Sequence, residues 1–267
     1  MDVRRAVRDR QLLVELFAVA NFAGLVGDIF LAHSENHFRR GSEYIPLVFS
    51  IVATAILAGG LLCRRRAPAV WRDLGHLVGW LAIAVGLAGV ILHLDSRFFY
   101  ERTIRSLTYA APFAAPLAYT GLGLLLIANR LVDPDAREWS EWMLLLALGG
   151  FVGNFVFSLT DHAQNGFFHP AEWIAVVASA CAIGCLIVPF LVDVPAAYLR
   201  LSVAVLAGEA LVGLLGFSLH AFADVRQSAP TVFEKILSGA PPMAPLLFVN
   251  LSILAAIALA ARLTPNR

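Results

Sequence analysis

HSENHFRRGSEYI (residues 33–45) returns as HAQNGFFHPAEWI (residues 162–174), 129 positions later and without a gap. His33/His162, Asn36/Asn165, Phe38/Phe167, Glu43/Glu172 and Ile45/Ile174 are identical, and Tyr44/Trp173 keeps an aromatic ring in place. Each copy lies between two long apolar runs, so each reads as the outer bend of a membrane hairpin. Two further matches extend the duplication. GLAGVILH (86–93) pairs with GLLGFSLH (213–220) at an offset of 127, and APFAAPL (111–117) pairs with APPMAPL (240–246) at 129. A two-residue insertion in the later loop reconciles the offsets. Residues from about 11 to 132 and from about 140 to 262 therefore read as two copies of one unit, inside a single membrane domain covering 1–267.

The apolar runs set the fold class. Of 267 residues, 59% are hydrophobic and 15% charged, against roughly 25% charged in a soluble domain. Eight runs stand out, at about 12–33, 44–63, 73–94, 108–130, 142–162, 171–191, 199–221 and 240–262. Each approaches the roughly 20 residues that cross a bilayer as helix. The alternation of a membrane β-barrel is absent, and helices satisfy the backbone in lipid. The expectation is an all-α integral membrane protein with eight transmembrane helices built as two parallel four-helix repeats. An even number of helices per copy gives the copies one orientation, about an axis along the membrane normal. No room remains for a soluble domain. The partner expected is the lipid bilayer, with other membrane subunits next. A formal charge of +1 offers nothing for nucleic acid.

Positive residues orient the chain. Thirteen of the twenty lie on the side of the amino terminus: Arg4, Arg5, Arg8, Arg10, Arg64, Arg65, Arg66, Arg72, Arg130, Arg137, Arg200, Arg262 and Arg267. The positive-inside rule places both termini in the cytoplasm, and the histidine-bearing bends on the periplasmic side of a bacterial inner membrane. The opening MDVRRAVRDRQLLVELF has no small-residue cleavage site after a short apolar core, so it reads as an uncleaved first span. Cys63, Cys181 and Cys185 lie within spans or at their inner edge and imply no disulfide framework.

The odd-numbered spans each carry a Gly-x-x-Gly pair: Gly24/Gly27, Gly86/Gly89, Gly150/Gly153 and Gly213/Gly216. Small residues let helices approach closely in lipid, so the odd spans are expected to form the inner ring. The outer loops 95–107 and 224–238 mix charge with apolar residues and read as short amphipathic segments on the surface. RLVDPDAREWSEW (130–142) reads as the turn between copies, with Trp139 and Trp142 as interfacial anchors.

Six of the seven histidines fall on the outer side, and four of them, His33, His93, His162 and His220, close the odd spans. These four are the candidate metal ligands. His37 follows His33 by one helical turn, as Asp224 follows His220; Asp95 lies two residues beyond His93, and Asp161 directly precedes His162. All four join the candidate set. Glu35 and His169 stand nearby. Imidazole with carboxylate suits iron, copper or zinc. Haem fits less well, because these histidines sit at the ends of the spans rather than at mid-depth. Asn36 and Asn165 are expected to cap the bends or orient the imidazoles. Glu43 and Glu172 open the following helices, where a carboxylate suits the dipole. Asp28 and Glu209, ionisable groups inside apolar runs, are candidates for a proton path. His76, on the inner side, reads as interfacial.

Three functions follow as expectations. The first is a membrane oxidoreductase, or its cofactor-binding subunit, with a periplasm-facing His/Asp metal site and a lipid-soluble substrate such as a quinone. The second is a carrier for metal ions or protons, with prolines in corresponding spans (Pro112, Pro116 and Pro241, Pro245). The third is a non-catalytic anchoring subunit.

Overall fold

The computed structural model describes residues 9–63 and 66–263. Arg4, Arg5, Arg8, Arg64, Arg65 and Arg267, used above to orient the chain, lie outside them. The described residues are helical, without a strand. The long helices are α1 (Arg10–Ser34), α2 (Tyr44–Cys63), α3 (Pro68–Asp95), α7 (Arg137–Gln164), α8 (Glu172–Leu191), α9 (Ala196–Val225) and α11 (Leu246–Leu263). These seven are long and apolar enough to cross a membrane. Between them lie the short α4 (Phe98–Glu101), α5 (Ile104–Thr108) and α10 (Val232–Ser238), and the 15-residue α6 (Leu117–Leu131).

The fourth and eighth apolar runs are shorter as helices than as sequence. Residues 109–116 and 239–245 are irregular before α6 and α11 begin. Pro112, Pro116, Pro241, Pro242 and Pro245 lie in these stretches. Proline has no N–H to donate and disfavours helix in the residue before it. The loops after α3 and α9 contain short helices, as expected, α4, α5 and α10. Thr103 and Ser106 cap α5 reciprocally, and Thr231 and Glu234 cap α10.

Packing corrects the expected inner ring. The closed central cycle is α1–α6–α7–α11, each touching the next and α11 returning to α1. The third and seventh spans, α3 and α9, lie outside it and lean on α6 and α11, their most extensive partners. Glycine explains the difference. A Cβ at Gly89 would stand 2.7 Å from Pro116 Cβ, and one at Gly216 2.8 Å from Pro245 Cβ. Gly86 and Gly213 are equally crowded, by Thr120 and the Pro116 carbonyl and by the Pro245 carbonyl. Around Gly24, Gly27 and Gly153 a Cβ would meet nothing within 4 Å. The glycine pairs of α3 and α9 therefore admit α6 and α11, whereas those of α1 and α7 do not set the packing, apart from Gly150 against Leu251.

The core is filled by large side chains of the central helices, among them Phe22, Leu125, Leu126, Trp139, Met143, Phe151 and Leu259, all fully buried. Near the start of α1, Glu15 pairs with Arg130 at 2.8 Å. Asn129 binds Gln11 through both its backbone and side chain and accepts from the Trp139 indole at 3.0 Å. That bond gives Trp139 a buried role in place of the interfacial anchor its sequence position suggested; it is fully buried. At the opposite end of the bundle, α5 packs on α7 and α10 on α1. Each short helix thus reaches from its own half of the chain to the other.

Candidate functional site

The bend after α1 and the bend after α7 stop their helices in the same way. The N–H of Phe38 donates to His33 O, and that of Phe167 to His162 O, both at 3.1 Å. His37 and Phe38 are left-handed (φ 55° and 47°), as are Gly166 and Phe167 (φ 71° and 51°). This is a Schellman-type ending, which satisfies the last carbonyls and reverses the chain. Glycine takes the first left-handed position at no steric cost in one copy, and His37 bears it in the other. The phenylalanine then stacks on the aromatic residue six positions on. Phe38 and Tyr44 ring centroids are 4.5 Å apart, and Phe167 and Trp173 4.1 Å.

The reversal carries a carboxylate back to the histidine. His33 Nδ1 lies 3.9 Å from Glu43 Oε2, and His162 Nδ1 3.6 Å from Glu172 Oε2. Both glutamate Oε2 atoms are buried and have no hydrogen-bond partner. Glu43 and Glu172, read from sequence as helix openers, thus belong beside the histidines. The ten-residue spacing His33–Glu43, repeated in His162–Glu172, was the signal for it.

The second pair of histidines is held differently. His93 Nδ1 is 2.9 Å from the carbonyl oxygen of Pro112, and His220 Nδ1 is 2.9 Å from that of Pro241. A carbonyl only accepts, so Nδ1 carries the proton and a neutral ring keeps its lone pair on Nε2. This is how metal-ligating imidazoles are commonly oriented. The proline loops are themselves tied down. The Ala111 N–H donates to Ser96 Oγ at 3.0 Å, and the Ala240 N–H to Asp224 Oδ1 at 2.8 Å. The glycines described above let these loops come close enough to α3 and α9.

Only one pair of histidines is seen to meet, in the first half of the chain. His33 and His93 face each other edge-on, with centroids 6.4 Å apart. Asp161 lies within electrostatic reach of both His162 and His220. The expected convergence of all four histidines is not seen. Among the described residues no three His, Cys, Asp or Glu side chains are gathered closely enough to hold a metal ion.

The remaining candidates are scattered. His37 is exposed in its bend, and His169, also exposed, accepts from the Ala171 N–H. Asp95 accepts from the Tyr100 hydroxyl at 3.4 Å. Asp224 is buried, with Oδ1 held by the loop and Oδ2 without a hydrogen bond. Asn36 and Asn165 are exposed, and neither side chain bonds a histidine. Asp28 is exposed on α1, and Glu209 is buried on α9 with Oε2 unbonded. Neither has a hydrogen bond connecting it to an imidazole. Cys63, Cys181 and Cys185 are free thiols.

Comparison with protein families, with characterised proteins and with solved structures yields no match.

Proposed function

We propose that the chain is a multi-pass protein of the cytoplasmic membrane that binds a transition metal at its periplasmic rim, as an oxidoreductase or its cofactor-binding subunit. It crosses eight times, as two parallel four-helix units with both termini in the cytoplasm. The crossing beyond the seven long helices, fourth in chain order, is α6 with the loop before it. That stretch begins where Pro112 meets His93 and ends where Arg130 meets Glu15, near the start of α1.

The observation that carries the metal reading is the matched orientation of His93 and His220, each with Nδ1–H on a proline carbonyl. Each has a second histidine in its half of the chain, His33 or His162, paired with Glu43 or Glu172. These side chains are not gathered into a three-donor set, so a metal would have to draw them together; imidazoles with a carboxylate would then suit iron or zinc better than copper(I). Glu43 and Glu172 are taken as the carboxylate donors because their Oε2 atoms lie beside His33 and His162. A bound metal would supply redox or Lewis-acid chemistry. The chain's own contribution is to hold the imidazoles in one tautomer and to keep the carboxylate oxygens dry. Haem is disfavoured by the rim position, and a quinone-like substrate would arrive from the outer leaflet.

Elemental analysis and an optical spectrum of purified protein test this reading. Metal is expected in wild-type protein and in His76→Ala, and is expected to be lost from His93→Ala and His220→Ala. Equal metal content in all three variants sinks the site. A second reading, a proton-coupled carrier, is favoured by Glu209, buried in a span with an unbonded oxygen. Proton-driven uptake by vesicles that hold no metal, abolished in Glu209→Gln, would replace the first reading with this one.

A further inference from the structure

We infer that Glu209 and Ser252 form a proton-binding site in the contact between α9 and α11, and that the bound proton keeps this contact closed. The ion is that of the carrier reading, on which this site rests, and no metal takes part. α9 and α11 run in opposite directions. A Cβ at Gly216 would stand 2.8 Å from Pro245 Cβ, and one at Gly213 2.9 Å from Phe248 Cβ and 3.1 Å from Val249 Cγ2. Glu209 is one turn before Gly213, and Ser252 one turn after Phe248. The two therefore stand at one level, on the faces the helices turn to each other. Both are 4% exposed. Glu209 Oε2 and Ser252 Oγ are buried with no hydrogen-bond partner.

No charge compensates the carboxyl. Among the described residues, no charged side chain lies within electrostatic reach of Glu209. Three helices pack against α9. α11 carries only Arg262, at its far end beside Glu141. α8 brings the Cys185 thiol to Ser202, two turns toward the start of α9, and its Glu172 faces His162. The Glu234 and Lys235 of α10 are at the end of α9, where Lys235 donates to the Val225 carbonyl. An ionised carboxylate buried without a partner is costly, and such a group takes up a proton instead. The protonated carboxyl gains an O–H to donate, and Ser252 Oγ is the unbonded acceptor at its level.

The contact between α3 and α6 lacks these groups. The offsets of 127 and 129 that set Gly86 beside Gly213 and Pro116 beside Pro245 set Ala82 beside Glu209 and Gly123 beside Ser252. There the backbones close on each other directly: a Cβ at Gly123 would collide with the Gly79 carbonyl oxygen. Glycine thus locks α3 to α6, whereas α9 and α11 meet across a carboxyl and a hydroxyl. Removing the proton leaves a bare charge in that contact and opposes its closure. α9, which lies outside the central cycle, is the helix that gives way.

The test uses infrared spectroscopy of the full chain in lipid nanodiscs. The difference spectrum of wild type against Glu209→Gln at neutral pH is expected to show the carbonyl band of one protonated carboxyl. The band should shift in heavy water and disappear as the pH is raised. Ser252→Ala is expected to move the band without removing it. The contact is read separately, in a chain whose three cysteines are replaced, by dipolar broadening between spin labels at Leu219 and Met243, both exposed. Broadening is expected to fall over the pH range in which the band disappears, and to stay constant in Glu209→Gln. No carboxyl band at neutral pH means an ionised Glu209 and overturns the site. A band unmoved by Ser252→Ala overturns the role of Ser252. Broadening that falls equally in Glu209→Gln overturns the coupling to the contact. A persistent band in protein that shows no proton-driven uptake upholds the site and removes the carrier reading.

Discussion

His93 Nδ1 stands 2.9 Å from the carbonyl oxygen of Pro112, and His220 repeats the contact with Pro241 at the same distance. One bond thus pins the irregular start of a helix to the end of its neighbour, twice in one chain. Replacing His93 by Phe keeps the bulk of the ring and removes the bond. The expected loss is about 1 kcal/mol of stability. The larger effect is local: residues 103–116 should exchange amide hydrogens faster, while 231–245 stay as protected as in wild type. Unchanged exchange in 103–116 would show that the glycine contacts alone hold the loop.

The glycines separate cleanly into two kinds. Gly216→Ala drives a methyl group to 2.8 Å from Pro245 Cβ. Overpacking of that sort typically costs about 1–3 kcal/mol. Gly24→Ala enters empty space and should be neutral, or stabilising by about 0.5–1 kcal/mol through lower backbone entropy. Reversible unfolding in detergent or bicelles compares the two. Equal effects would mean that α9 and α11 do not approach as closely as described.

Glu15 and Arg130 are 17% and 12% exposed and 2.8 Å apart. Removing one partner leaves an uncompensated charge at low dielectric. Glu15→Ala is expected to destabilise by about 3–5 kcal/mol. The double variant Glu15→Gln/Arg130→Gln should recover most of that loss, because neither charge remains. A double variant as unstable as the single one would show that the loss comes from packing rather than charge.

Glu172 bears on the metal reading directly. Its Oε2 is buried without a hydrogen bond and faces His162 Nδ1 at 3.6 Å. In metal-free protein, Glu172→Gln is expected to leave stability unchanged or raise it, since a buried carboxylate oxygen without a hydrogen bond is removed. Metal content, measured by elemental analysis, is expected to fall. A large loss of metal-free stability instead would make the carboxylate a structural partner of His162.

The membrane orientation has its own test. In a variant whose three cysteines are replaced, a cysteine at Gln227 should react with a membrane-impermeant thiol reagent applied to the periplasmic side. A cysteine at Asp133 should react only after the membrane is opened. The reverse pattern would invert the topology.

Much of the fold was legible because hydropathy acts residue by residue. A run such as 171–191 is helical and apolar whatever surrounds it, and it becomes α8. The matching bends were legible as residues too, since the spacings His33–Glu43 and His162–Glu172 appear as plain identities. The fourth run was legible in part. Its apolar residues continue through 108–116, but Pro112 and Pro116 stop the backbone from helical pairing there, and local geometry outweighed hydropathy.

The candidate site was legible as residue types and not as contacts. His33 and His93 are separated by 60 positions, and nothing along the chain says that their rings meet. Asp95 and Asp224 looked equivalent to ligands because only their sequence neighbours were in view. Their partners, Tyr100 and the Ala240 N–H, come from the way the loops fold back.

By itself, then, the amino-acid sequence determined the apolar helices and the bends between them, because transfer from water to lipid is nearly additive along a helix. The tertiary structure alone decided that α6 and α11 are central while α3 and α9 are peripheral, and that each glutamate returns to its histidine. Those outcomes depend on shape: a helix in lipid gains little from hiding apolar surface, so the fit of glycine against proline, side chain by side chain, chooses its neighbour.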